Sequence, residues 1–178
     1  RAAPRERRPM TAEANAGRLD GKQAAEELLA RLKGEVAALP YVPKLTFVRV
    51  GDDPASASYV RAKERLARRA GVASETYALP AATGQGELLA LIGRLNADPA
   101  VDGILVQLPL PPTLDSRQVL DAVDPAKDVD GLHPYNVGLL WSGRTGLVPA
   151  TPLGVVALLD HYEQTQTPPE AVVVGPNE

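Results

Sequence analysis

The run Ile104-Leu105-Val106 restricts the fold of this chain more than any other segment. It is compact and wholly apolar, without the alternation of a strand that has one wet face. It reads as a strand buried on both faces. Such a strand needs helices packed on each side and parallel neighbours in its sheet. The flanking sequence supplies both. Leu45–Val50 (LTFVRV) and a short run around Ser74–Leu79 read as strands. Helical spacing of apolar residues precedes or follows each of them. The expected fold class is therefore α/β, a domain of alternating strands and helices around a mostly parallel sheet.

Punctuation along the chain agrees. Asp20-Gly-Lys-Gln23 has the form of a capping box, and Ala25, Leu28, Leu29, Leu32 and Val36 then recur at helical spacing. Pro40 and Pro43 stop that helix. A second helix is expected from about Ala55 to Ala70, with Gly71 as its stop. A third, about Glu87 to Asn96, carries Leu88, Leu91, Ile92 and Leu95 on one face. Asp115, with Gln118 following, caps a short helix through Val123. Residues 124–150 are rich in Gly, Asp and Pro and lack clear periodicity, so they read as a long loop, which in a compact domain is usually functional. Thr151-Pro152 fits an N-cap followed by an N1 proline, opening a helix with Leu153, Val156, Leu159 and Tyr162. Ala171–Val174 reads as a strand running into Gly175. This divides the chain into a basic tail (1–10), a principal domain (11–150) and a connecting helix with the start of a further domain (151–178).

Composition excludes several classes of function. The chain has 178 residues, 44% hydrophobic and 23% charged, ordinary values for a globular protein. It contains no cysteine, which excludes disulfide scaffolds, zinc–thiolate sites, iron–sulfur clusters and thiol nucleophiles. The formal net charge is −3, so nucleic acid is not an expected partner. The first ten residues carry four Arg and one Glu, with Pro4 and Pro9 and no apolar periodicity, and read as disordered. The longest apolar stretch, Leu153–Leu159, falls far short of the about 18–20 residues that span a bilayer. With no secretory signal visible, a soluble cytoplasmic protein without a membrane partner is expected.

Ligands of open parallel sheets bind beyond the carboxyl ends of the strands. Two features fall there. Tyr59 and Lys63 stand four apart, on one face of the helix that leaves the strand ending at Val50. A lysine so placed is a candidate general acid/base, although an exposed Lys beside a packing Tyr has the same spacing. Tyr-x-x-x-Lys also marks short-chain dehydrogenases, but Gly84-x-Gly86 has Leu89 where a third glycine is required, and that family is discarded. Gln107 directly follows the apolar strand and is either a backbone partner or a polar group offered to a ligand. In Lys127-Asp-Val-Asp-Gly131 a calcium loop lacks its flanking ligands and terminal Glu. One carboxylate there is either a turn stabiliser or an acceptor for two parallel N–H groups of a heterocycle. His133 and His161 are the only histidines, and neither has a second histidine within helical reach, so no metal site is expected. Trp141 reads as packing.

Read in order, these pieces resemble one family. Leu19-Asp-Gly-Lys22, Val50-Gly-Asp-Asp-Pro-Ala-Ser-x-Ser-Tyr-Val-x-x-Lys63, Asp102-Gly-Ile-Leu-Val-Gln-Leu-Pro-Leu-Pro111 and Lys127-Asp-Val-Asp-Gly-Leu-His-Pro-Tyr-Asn-Val-Gly138 are similar to bifunctional methylenetetrahydrofolate dehydrogenase/methenyltetrahydrofolate cyclohydrolase. Pro149-Ala-Thr-Pro-x-Gly154 extends the likeness, with Ala150 where the family more often has Cys. The resemblance covers about residues 18–175. It implies that Lys63 is the catalytic lysine, Tyr59 the ring that stacks on folate, Gln107 the group that positions the lysine, and Asp130 the carboxylate that holds the pterin. It also implies NADP as cofactor, a homodimer, and a place in the one-carbon metabolism that feeds purine, methionine and histidine biosynthesis. The family continues into a complete Rossmann-type NADP-binding domain. Here only its first strand and Gly175 are expected, so a truncated chain with a folate site and an incomplete NADP site is implied. The alternative is a non-catalytic folate-binding or interaction module.

Overall fold

The computed structural model describes residues 19–162. Nine elements follow one another: α1 (Gly21–Ala37), β1 (Lys44–Val50), α2 (Pro54–Ala70), β2 (Ala73–Leu79), α3 (Gln85–Ala97), β3 (Gly103–Val106), α4 (Ser116–Asp121), α5 (Pro134–Trp141) and α6 (Ala150–His161). The strands form a parallel sheet in the order β2-β1-β3. The expected strands lie within a residue of the observed ones. The basic tail, the strand expected at 171–174 and Gly175 lie outside the described residues.

Strand pleat sorts the core onto two faces. On one, Val48 and Val50 of β1 and Ile104 and Val106 of β3 pack with Leu88, Leu91, Ile92 and Leu95 of α3. On the other, Phe47 and Leu105 meet Val60 of α2. Every residue of β3 is buried, as its unbroken apolar sequence requires. A Cβ on Gly103 would collide with the Val129 side chain, so the segment after α4 presses directly against β3. There the Ile104 amide donates to the Lys127 carbonyl at 2.7 Å, and Asp128 forms an isolated parallel bridge with Ile104.

Local signals place the helix ends. The Asp20 carboxylate accepts from the Lys22 and Gln23 amides at the start of α1. The Gln23 side chain completes no capping box; it donates to Glu27 instead. Asp53 accepts from the Ser56 amide at 2.7 Å with Pro54 opening α2. Gly71, at φ 85°, closes α2 in the left-handed conformation that a Cβ disfavours. Asp115 caps α4 through the Arg117 and Gln118 amides.

Three further expectations are corrected. The segment 124–150 is not one loop, because α5 lies inside it. Its start is marked by His133, whose Nδ1 accepts from the Tyr135 amide, followed by Pro134. The helix escapes a periodicity search because its apolar residues form no buried stripe; Asn136 is its one buried residue. Thr151-Pro152 is not the N-cap pair of α6, which opens at Ala150 after Pro149. The Ala150 amide is satisfied from outside the helix, by the Asp130 carbonyl at 3.3 Å. Trp141 does not pack, being 93% exposed. The helix α1 buries none of its apolar residues fully, and Leu28 is 45% exposed. Polar contacts tether α1: Arg69 to Glu26, and the Asp20 backbone to the Tyr162 hydroxyl.

Candidate active site

The carboxyl ends of β1 and β3 open beside the first turns of α2. Lys63 is half-buried there, and its Nζ donates to Gln107 Oε1 at 3.3 Å. Forty-four positions separate the two in sequence. They meet because β1 and β3 are neighbours and α2 crosses back over their shared face. Gln107 extends β3 by one hydrogen bond, its amide donating to the Val48 carbonyl at 2.8 Å. Its Nε2 donates to the Leu108 carbonyl at 2.6 Å. That bond orients the amide so that its oxygen faces the lysine. The Leu108-Pro109 peptide that follows is cis.

Tyr59 stands one turn before Lys63 and is 64% exposed. Its ring is free to cover a ligand lying along α2. Asp130 approaches from the segment after β3 and is half-buried. Burial raises its pKa above the usual aspartate value, the Lys63 charge pulls it down, and the Asp128 charge adds to the rise. Lys63 is thus the cation that acts on Asp130. The four residues singled out in the sequence therefore share one edge of the sheet, with Lys63 linked directly to Gln107 and electrostatically to Asp130.

The two aspartates of the Lys127–Gly131 segment have separate tasks. Asp128 is buried and stabilises its own turn: one carboxylate oxygen accepts from the His133 amide at 2.8 Å and from Asn136 Nδ2 at 3.0 Å. Asp130 has no such partner set and stays uncommitted and half-buried at the Lys63 edge. Sequence reasoning did not single out Asn136 or the Lys127 side chain. Asn136 gives no signal in the sequence beyond being a polar residue in the first turn of a helix that opens at Pro134.

The described residues do not fit a dinucleotide. The β1–α2 turn offers a helix N-terminus, but the Asp53 carboxylate already caps it, and hydrogen bonds to Ser56 hold that carboxyl below the usual range. A pyrophosphate would meet like charge there. The start of α3 has Gly84 at its cap but Glu87 in its first turn. Among the described residues no group of three His, Asp or Glu is arranged to hold a metal ion. No described helix is long and apolar enough to cross a membrane. A groove of about 670 Å³ between α1 and α6, lined by Leu28, Arg31, Ala157 and His161, shares no residue with the Lys63 edge.

The chain is similar to known proteins over most of its described length. Residues 19–130 match the family described as tetrahydrofolate dehydrogenase/cyclohydrolase, catalytic domain. The bifunctional protein FolD of Acidiphilium cryptum is 60% identical over 141 residues, covering 79% of this chain and 50% of that protein. That of Thermus thermophilus is 50% identical over 157 residues, covering 88% and 56%. The crystal structure of the bifunctional FolD methylenetetrahydrofolate dehydrogenase/cyclohydrolase of Campylobacter jejuni superposes with a TM-score of 0.80 at 44% identity, over 82% of this chain and 53% of that one. The Trypanosoma brucei enzyme, crystallised with NADP cofactor and an inhibitor, gives 0.79 at 35% identity, over 83% and 52%. The chain spans about half the length of the curated relatives it matches.

Proposed function

The chain belongs to the tetrahydrofolate dehydrogenase/cyclohydrolase family, and from that premise we propose that its Lys63 edge binds a one-carbon tetrahydrofolate and hydrolyses the methenyl form. The observation that carries this reading is the Lys63–Gln107 hydrogen bond, with Asp130 under the influence of the same lysine.

Each residue has a task that its chemistry suits. Asp130 accepts from the adjacent N–H donors of the pterin and so fixes the position of the reacting carbon. Tyr59 stacks on the aromatic part of the folate. The methenyl carbon is electrophilic because the ligand is a cation. Water attacks it, forming a C–O bond, and a neutral Lys63 amine takes one proton from that water. The ligand's own positive charge favours the neutral amine. Gln107 orients that amine through its fixed carbonyl oxygen. The adduct then opens: the bond from the carbon to one ring nitrogen breaks, that nitrogen keeps one of the water's protons, and the oxygen remains as the formyl group. One proton is released overall.

For the whole protein we propose the dehydrogenase step as well, with NADP as hydride acceptor, and a cytoplasmic homodimer serving one-carbon metabolism and the purine, methionine and histidine biosynthesis that draws on it. The described residues do not fit the nucleotide, and no step through it is derived for them.

The test is hydrolysis of methenyltetrahydrofolate by the purified chain, followed as loss of its near-ultraviolet absorbance above the buffer rate. Lys63→Met should lower the rate by about 10²–10⁴-fold, the usual contribution of a positioned acid/base. Hydrolysis equal in the two proteins would overturn the catalytic reading. Retained folate binding would then leave the alternative, a binding module.

A further inference from the structure

The segment that brings Asp130 to the Lys63 edge has no regular structure of its own between Asp128 and α5, yet both of its ends are anchored. The anchor before Asp130 is Lys127. Its half-buried ammonium donates to three carbonyls, those of Leu95 at 3.1 Å, Asn96 at 2.8 Å and Asp98 at 2.7 Å. An ammonium has three protons, so all are used. The acceptors are the last carbonyls of α3 and its C-cap, where unpaired C=O groups and the helix dipole attract a cation. The Lys127 backbone meanwhile holds the Ile104 amide.

Asp128 is tied to α5 through His133 and Asn136, and Asn136 also holds the Pro125 carbonyl at 2.9 Å. Val129 packs against the Phe47, Val60 and Leu105 cluster beneath α2. The Asp130 carbonyl accepts from Ala150 at the start of α6. Each of these contacts belongs to a different element. Asn96, near the end of α3, holds the backbone earlier, its Oδ1 accepting from the Asp124 amide at 2.9 Å. Beyond Asp124 the Lys127 side chain is the contact that ties the segment to the end of α3, on the other face of the sheet from α2. Without it, the backbone between Asp124 and Asp130 would keep only its β3 bridge on that side.

We propose that Lys127 is a positioning residue for the folate site: it touches no substrate, but by capping α3 it fixes where the Asp130 carboxylate stands relative to Lys63. The inference rests on the assignment of Asp130 as the pterin's acceptor. Two parallel hydrogen bonds to a rigid heterocycle tolerate little displacement, and a misplacement of about 1 Å costs on the order of 10²-fold in such sites.

The test uses the full chain and 5-formyltetrahydrofolate, a stable folate, with affinity measured at equilibrium well below each variant's melting temperature. Four proteins are compared: the unaltered chain, Lys127→Met, Asp130→Asn and the double variant. Lys127→Met with unchanged circular dichroism should bind about tenfold or more weakly. In the Asp130→Asn background it should bind no more weakly than Asp130→Asn alone, because the group it positions is already lost. A lysine that merely stabilises the fold lowers the melting temperature equally in both backgrounds and leaves affinity intact. That result, or additive losses in affinity, overturns the proposal. If Lys127→Met does not fold, Lys127→Arg replaces it. The guanidinium keeps the charge but cannot converge on the same three carbonyls, and the same coupling is expected. Unaltered binding by Asp130→Asn alone would overturn the assignment of Asp130 itself, and the proposal with it. Weakened binding by Asp130→Asn with none by Lys127→Met would overturn the proposal alone.

Discussion

Gln107 owes its usefulness to a bond with its neighbour. Its Nε2 is committed to the Leu108 carbonyl, which leaves Oε1 for Lys63. Gln107→Ala should therefore lower the hydrolytic rate by about 10–10²-fold through a misoriented amine while changing KM little, a split that steady-state kinetics resolves. Asp130 predicts a pH dependence. Its pKa is raised by burial and by Asp128, against the pull of Lys63. The ionised form is the one that accepts hydrogen bonds from a pterin. Folate affinity should thus be full above the raised pKa and fall as pH drops through it, earlier than for an exposed aspartate. Titration of affinity against pH should show this fall in the unaltered chain and lack it in Asp130→Asn. For folding the sign reverses. Neutral Asp130 is favoured in the native state, so its contribution to stability is present at low pH and lost as pH rises through its folded pKa.

Among the elements, helices with a strong local start and a buried stripe were legible. Gly71 closes α2, Asp115 opens α4, and α3 shows its four buried residues at helical spacing. Legibility failed for α5, whose start signal is a histidine and whose apolar side chains stay exposed, and for the start of α6, which depends on a bond from the distant Asp130 carbonyl. The turn before α5 depends on Gly131. Its φ is 65°, and a Cβ there would stand 2.5 Å from the Val148 carbonyl carbon. Gly131→Ala combines left-handed backbone strain with that collision and should destabilise the chain by at least about 1–2 kcal/mol, read from thermal or denaturant unfolding. It should also weaken folate binding, because Gly131 directly follows Asp130.

At the scale of the molecule, the described core is one three-stranded sheet with helices on both faces, and a large apolar surface is left outside it. Tyr135 and Trp141 of α5 and Leu153 and Val155 of α6 are all more than half exposed. Trp141 is the one tryptophan of the chain, so fluorescence reports on it alone. Its emission should resemble that of an indole in water and be strongly quenched by iodide. Trp141→Ser should leave the unfolding free energy within about 0.5 kcal/mol, as for other surface substitutions that remove no buried contact. Emission shifted to the blue, or protection from iodide, would show that this surface is covered in solution.

The sequence by itself determined the class of fold and most of the elements, because burial on two faces, helical periodicity and caps are local patterns that act within a few residues. Four site residues were also singled out, three by their place beyond strand ends and all four by the resemblance of whole motifs. Only the tertiary structure decided how they stand together. The parallel order β2-β1-β3 brings Gln107 to Lys63, and packing of the segment after β3 against Val60 and Leu105 brings Asp130 beside them. The same packing divided two nearly adjacent aspartates into a buried turn stabiliser and a half-buried carboxylate without hydrogen-bond partners of its own. Local sequence cannot make that division, since which carboxylate loses water and which finds donors depends on elements far away along the chain.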